Sequence, residues 1–265
     1  MSRDVLKSLL PPILVGMARR LRRPPPVRFG GEFPSWDAAQ AQTTGYDAQA
    51  ITERLLDATR RVVAGEAIYE RDSVLFDHIE YSWPALASLL LVAQQRGSLR
   101  VVDFGGSLGS SWRQNRRYLQ RLRAPLAWHV VEQEHIVALG AREFSDQTLR
   151  FFRSIPEAAA EGVDVMLFAS SLCYVEDPWR HLREARETPA NFLIVDRLPT
   201  IAGARDRISV QYVGAPIYEA SYPIRCFGRD SLPELFSGWR LIESWDCDLQ
   251  PDSHSRCQGF FLERL

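Results

Sequence analysis

Lysine is nearly missing from this 265-residue chain: Lys7 is the only one, and arginine supplies the other bases among 32 Lys and Arg. Codon bias in a GC-rich genome explains that imbalance better than any function does. Acidic residues number 33 and the formal charge is -1, so the strong basic excess of a general nucleic-acid binder is lacking. Cys173, Cys226, Cys247 and Cys257 form no Cys-x-x-Cys pair. The five histidines show no His-x-x-x-His spacing, so no metal motif is present. Without a secretory signal, the thiols are expected free in a reducing cytoplasm. No apolar run reaches the roughly 20 residues that span a bilayer, and no internal repeat or low-complexity tract is visible.

What is present begins with an unusual amino-terminal arm. Residues 1–26 join an apolar stripe (Val5, Leu9, Leu10, Ile13, Leu14, Met17) to Arg19, Arg20, Arg22 and Arg23, ending at Pro24-Pro25-Pro26. A signal peptide carries its bases before the apolar core, whereas here they follow it. Two readings stay open. One is a weak interfacial anchor whose arginines meet anionic lipid at the inner membrane face; the other is a packing arm.

Residues 27–50 are rich in aromatic and small side chains, which predicts ordered loops rather than a linker. Helical periodicity follows over 48–64 and again over 83–95. From residue 100 the pattern alternates. Strands are expected at 100–104, 128–132, 149–152, 163–169 and 192–196, with helices starting near Ser110, His135, Pro156 and Pro178. Such alternation predicts an α/β, doubly wound, Rossmann-like parallel sheet covered on both faces. Two further strands, 239–247 and 258–263, lie either side of a polar loop and read as an antiparallel hairpin. The organisation expected is therefore an arm (1–26), a helical cap (27–98) and a nucleoside-binding domain (99–265) carrying an insertion (198–238).

The glycine-rich turn is the strongest chemical signal. Val101-Val102-Asp103-Phe104-Gly105-Gly106-Ser107-Leu108-Gly109 is a buried strand ending in an acid, then a bend, then a helix. Glycine lets a ligand approach the backbone and permits positive φ. In an open parallel sheet, ligands sit beyond the carboxyl ends of the strands. Asp103, Gly105, Gly106, Ser107 and Gly109 would thus wrap the amino-acid end of a cofactor, with Asp103 orienting an ammonium through water. Glu132, closing the second strand, would take a ribose diol in a bidentate way, with Glu134 as its competitor. Ser170 and Ser171 would lie beneath the cofactor and Tyr174 would face the substrate. Asp177 reads as an N-cap before Pro178. Asp196-Arg197 ends the fifth strand, where it meets either a polar substrate or itself in an ion pair.

The carboxy-terminal hairpin discriminates between cofactors. A nicotinamide-binding Rossmann sheet carries a sixth parallel strand, while an antiparallel terminal strand marks class I methyltransferases. The first loop also departs from Gly-x-Gly-x-x-Gly. From about Phe29 onward the chain resembles a family of class I S-adenosylmethionine-dependent methyltransferases met among bacterial surface-polysaccharide (O-antigen-type) biosynthesis genes. The residues carrying the resemblance are Phe29-Gly30-Gly31 to Ser35-Trp36, Gly45-Tyr46-Asp47, Tyr69-Glu70-Arg71-Asp72-Ser73 and the segment from Val102 to Ser110. Ser170-Ser171-Leu172 with Tyr174, Asp177-Pro178 and Asp196-Arg197 complete it. Cys173 stands where that family has glutamine.

The resemblance implies S-adenosyl-L-methionine as cofactor and an O- or N-methylation of a small-molecule or glycan-type acceptor in the cytoplasm. It also turns the segments outside the sheet into acceptor sites: Tyr46, Tyr69, Arg71 and Asp72 before it, and Tyr212, Tyr218, Tyr222 and Arg225 within the insertion. Arg197 joins them as a substrate contact. Tyr174, His181 and Asp196 stand as alternatives for a catalytic base, and no metal is expected. Two other functions remain: a non-catalytic scaffold of the same fold in glycan assembly, and an NAD-dependent oxidoreductase.

Overall fold

The computed structural model describes residues 27–43, 48–214, 219–247, 252 and 254–265. The arm 1–26, Gly45-Tyr46-Asp47 and Tyr218 lie outside them. The chain enters as strand β1 (Val27–Phe33) and helix α1 (Trp36–Gln40), so the loops expected over 27–50 and the purely helical cap are both corrected. Helix α1 starts because the Ser35 hydroxyl accepts from the Ala38 N–H at 3.2 Å. Helix α2 (Ala48–Val63) follows, then a hairpin of β2 (Tyr69–Arg71) and β3 (Val74–Phe76). Its two turn residues, Asp72 and Ser73, both have positive φ (53° and 66°), the geometry of a type I′ turn. Helix α3 (Trp83–Arg96) carries Pro84 in its first turn and ends at Gly97 in the left-handed region.

Alternation then proceeds as the sequence predicts. The strands are β4 (Leu99–Phe104), β5 (Leu126–Val131), β6 (Leu149–Phe152), β7 (Val165–Ala169) and β8 (Phe192–Ile201). Between them run α4 (Ser110–Leu119), α5 (Glu134–Glu143), α6 (Ile155–Ala160) and α7 (Pro178–Glu187). Asp177 caps α7 as expected, accepting from the Arg180 N–H at 2.9 Å. The 198–238 insertion is not a set of loops. Beyond the end of β8 it forms β9 (Arg207–Val213), β10 (Ala220–Gly228) and the short α8 (Leu232–Leu235), ahead of β11 (Trp239–Cys247) and β12 (Ser255–Arg264).

The five parallel strands lie in the order β8-β7-β4-β5-β6. Strand β12 runs antiparallel along β8, and β11 pairs antiparallel with β12. The terminal hairpin therefore sets its last strand next to the parallel set, antiparallel to β8. A second limb grows from the far end of β8. There, Thr200 and Ile201 pair with Phe227 and Gly228 of β10, which continues through β9 to β1.

Strand alternation divides the core between the two faces. Val101, Val130, Val165, Leu167 and Ile194 face α3 and α4, where Leu86, Leu89 and Trp112 close the layer. Val102, Met166, Phe168, Leu193 and Val195 face the other way, onto Ala158, Leu182 and Ala185 of α6 and α7. Asp103 shares the first face with Val101 and points into an apolar layer.

Candidate functional site

The β4–α4 turn is held by its own chain. The Gly105 N–H donates to the Val131 carbonyl at 2.9 Å, and Gly105 itself has a φ of 71°. A Cβ on Gly105 would stand 2.6 Å from the Ser171 Cβ, and one on Gly106 would stand 2.5 Å from the Asp103 carboxylate. Both glycines are thus required by side chains packed against the loop, before any ligand is considered. Ser107 follows with a φ of 56° and Gly109 with 93°. Ser107 (56°), Ser170 (60°) and Arg197 (57°) all hold left-handed backbone, in the turn after β4, directly after β7 and within β8. Such strain costs of order 1 kcal/mol each and gathers where a site is being shaped.

Asp103 is fully buried. Its Oδ2 accepts from the Trp128 indole N–H at 3.0 Å, and its Oδ1 has no partner among the described residues. Burial pushes its carboxyl up to about 7, with the Trp128 hydrogen bond opposing and the Glu132 charge adding to the rise. Asp103 therefore lies beneath the loop rather than on its surface.

Glu132 stands one residue past β5 and turns back to the loop. Its Oε1 accepts from the Ser107 N–H at 3.1 Å, and its Oε2 from the Gln133 N–H at 2.9 Å. Burial raises its carboxyl above the ordinary range, and those two backbone donors oppose the rise. A carboxylate offers about four lone-pair sites, so the two oxygens retain room for a further pair of donors. Glu134, by contrast, pairs with Arg153 at 3.0 Å on the surface.

Asp196 is a hub of hydrogen bonds. Its Oδ1 accepts from the Ser82 hydroxyl (3.0 Å) and the Trp245 indole N–H (3.1 Å), and its Oδ2 from the Arg197 guanidinium (2.7 Å). The Arg197 Nε in turn donates to the Ser170 hydroxyl at 2.8 Å. The ion pair anticipated between Asp196 and Arg197 exists, and it leaves Asp196 tied down as a structural anion. Ser171 is buried with its hydroxyl unpartnered among the described residues.

Tyr174 is 37 % exposed. Its hydroxyl donates to the Gln211 Oε1 at 2.9 Å, and the Gln211 amide donates to the Tyr222 hydroxyl at 2.9 Å. Tyr212 follows Gln211 on β9 and so faces the opposite side of that strand. There the Arg28 guanidinium lies 5.0 Å from the centre of its ring. His181 lies tilted against Phe104 with centroids 4.4 Å apart, and its Nδ1 is 3.3 Å from Glu184. Arg225 is committed to Asp206 (3.0 Å), the Glu176 carbonyl and the face of Trp179.

The β2–β3 hairpin approaches the same strand ends. Tyr69 is buried, which pushes its phenol up to about 12 against the pull of Arg71 and Arg197. Arg71 is bound to Glu80 at 2.8 Å. Between them, Glu70 is buried and its Oε1 accepts from the Ser110 hydroxyl at the start of α4. Burial raises its carboxyl, with the Ser110 hydrogen bond opposing. Gln211, Trp245 and Ser82 were not singled out by sequence reasoning, and Glu70 only as part of the Tyr69–Ser73 segment. Glu70 carried a signal in the hairpin pattern, since a two-residue Asp-Ser turn orients the strand before it. The other three depend on contacts across many residues of chain.

No protein family and no curated protein matches the chain. Similar solved structures exist at low identity. The N-terminal domain of EvdMO1, in the presence of S-adenosylhomocysteine and D-fucose, shares 13 % identity over 83 % of this chain and 97 % of that one, with a TM-score of 0.48. A Burkholderia thailandensis 1,6-didemethyltoxoflavin-N1-methyltransferase shares 13 % over 85 % and 96 %, at 0.40. The [4+2]-cyclase SpnF shares 14 % over 82 % and 95 %, at 0.44.

Proposed function

We propose that this chain is an S-adenosyl-L-methionine-dependent methyltransferase acting on a hydroxyl or amine of a small-molecule acceptor. The observation that carries the reading is the Glu132 carboxylate. Two backbone N–H groups hold it at the end of the second strand, one of them from the glycine loop itself, with room for a diol. Beneath the loop lies the Asp103 carboxyl, one oxygen held by the Trp128 indole, and its charge when ionised favours a cationic group above it. A ribose diol and an ammonium are two polar ends of S-adenosyl-L-methionine, so the residues present fit that cofactor. The finer reading, a sugar acceptor in surface-polysaccharide assembly, rests on the sequence resemblance.

When bound, the cofactor supplies an electrophilic sulfonium methyl. Gly105, Gly106 and Ser107 set the loop's path, and Glu132 orients the nucleoside. Tyr174, its proton committed to Gln211, presents its oxygen to an acceptor, and Arg197 places positive charge beside Ser170. Catalysis by placement needs little more, because aligned reactants gain roughly 7–11 kcal/mol from proximity alone. Asp196 is saturated with donors and committed to the scaffold, while His181 meets Glu184 through only one of its two ring nitrogens. That saturation favours a second reading, a non-catalytic binder of the same ligand.

Calorimetry with S-adenosyl-L-methionine and with NAD tests the proposal. Micromolar binding of the first and none of the second is expected; the converse, or binding of neither, overturns it. Methyl transfer to sugar-type acceptors then separates enzyme from scaffold. Contact of the 1–26 arm with anionic vesicles is a distinct proposal, tested by co-sedimentation of the full chain. Among the described residues, no helix is long and apolar enough to cross a membrane.

A further inference from the structure

Cys247 and Cys257 are directly opposed in the β11–β12 ladder. Residues opposed in an antiparallel pair have Cβ atoms about 4.5–5.5 Å apart on one face of the sheet. A disulfide requires about 3.5–4.5 Å between Cβ atoms, so a small adjustment of the hairpin suffices. Paired residues share a face of the ladder, so the two thiols point the same way. Both are free, with Cys257 buried and Cys247 partly exposed. Their surroundings are equally specific. The Cys247 thiol donates to Asp196 Oδ1 at 3.9 Å, which sets it against the Asp196–Arg197 pair.

We propose that Cys247 and Cys257 form a reversible cross-strand disulfide, with Cys247 as the attacking thiol and Cys257 as the resolving one. The neighbouring Cys257 thiol, with Arg197, lowers the Cys247 thiol against burial and the Asp196 charge, while the same pairing and burial raise Cys257. A depressed, accessible thiol beside a buried partner is the arrangement of a redox-responsive pair. The oxidant is a low-molecular-weight disulfide of the glutathione class. The Cys247 thiolate attacks one of its sulfurs, forming a mixed disulfide and expelling one thiolate, which takes up the proton Cys247 gave up. Cys257 then loses its proton and attacks the Cys247 sulfur, expelling the second small thiolate. Two protein thiols are oxidised to one disulfide, and one small disulfide is reduced to two thiols. The new bond draws the Cys247 sulfur from the Asp196–Arg197 pair toward β12.

The chain's own arginines make the test direct. Trypsin cleaves after Arg240, Arg256 and Arg264, which places the two cysteines on separate peptides, 241–256 and 257–264. The full chain is incubated with oxidised glutathione, alkylated, digested and mapped by mass spectrometry. The linked pair of those peptides is expected, and it separates on reduction with dithiothreitol. In Cys257→Ser the reaction should stop at glutathione on Cys247, forming at least about tenfold faster than on Cys226 or Cys173. Complete alkylation of Cys247 and Cys257 in oxidised wild type, or a link to another cysteine, overturns the proposal. Cys226→Ser serves as the control variant and should leave the linked peptide unchanged. This chemistry does not depend on the methyl-transfer reading.

Discussion

Replacing Asp103 by asparagine should make the protein more stable and worse at its proposed task. The wild-type carboxyl is fully buried and titrates at about 7, against an ordinary value of 3.8. A raised folded pKa means that the native state holds a proton where the unfolded chain has released it. Stability from this group is therefore complete below about pH 4 and is lost as pH rises toward 7. At about 1.4 kcal/mol for each tenfold change in proton affinity, keeping the group ionised at pH 8 costs roughly 4 kcal/mol. Asparagine accepts the Trp128 N–H and carries no charge, so it omits that loss. Urea unfolding at pH 5 and pH 8 measures the difference. The advantage of Asp103→Asn over wild type should widen by about 3 kcal/mol across that interval, at unchanged m-value. Parallel pH profiles for the two proteins would refute the argument, because they would mean that Asp103 is comfortably ionised. The same variant should bind S-adenosyl-L-methionine more weakly, a trade of function for stability.

The remaining predictions touch other parts of the site and its scaffold. Glu132→Gln should lower cofactor affinity by about 10–100-fold in calorimetry while leaving the fold intact, since the amide oxygen still accepts the Ser107 N–H. Gly105→Ala, with its Cβ set against Ser171 at positive φ, should destabilise the chain by about 2 kcal/mol or more. Pairing it with Ser171→Gly should recover part of that loss, as a double-mutant cycle would show. Asp164→Ala should cost about 3–5 kcal/mol by urea unfolding. Asp164 is buried against Arg100, whose N–H and guanidinium, with the Ser98 hydroxyl, outweigh burial and hold the carboxyl low. Its contribution is present above pH 4 and lost as pH falls through the depressed pKa. Tyr174→Phe should reduce acceptor turnover without changing cofactor affinity, a split visible in kcat against calorimetric Kd.

The parallel strands and their glycine turn were legible because each strand's signal is local. A buried run ending in an acid, followed by glycine, needs nothing from elsewhere in the chain. Strand β1 was illegible for the opposite reason. Its two glycines argue against a strand, and among the described residues it pairs with β9 alone, from Val27 opposite Val213 to Phe33 opposite Ile208. Strand β10 hid behind Pro223, a residue that normally excludes an inner strand. The exception is tolerated because β10 meets β8 only at Phe227 and Gly228, leaving the proline's edge unpaired on that side. Within the site, Glu132 could be read from its place at a strand end. The saturation of Asp196 could not, because Ser82 and Trp245 come from distant segments.

The pairing of β1 with β9 has a consequence in time. A ribosome releases β1, α1 and the hairpin long before β9 exists, so the earliest part of the chain waits unpaired while the parallel sheet assembles. Late, distant pairing of this kind slows folding. It also closes an edge of β9 that would otherwise invite a neighbouring chain. Removing residues 27–33 would accordingly leave the nucleoside-binding sheet formed but sticky: a protein whose defect shows as aggregation rather than as a missing site.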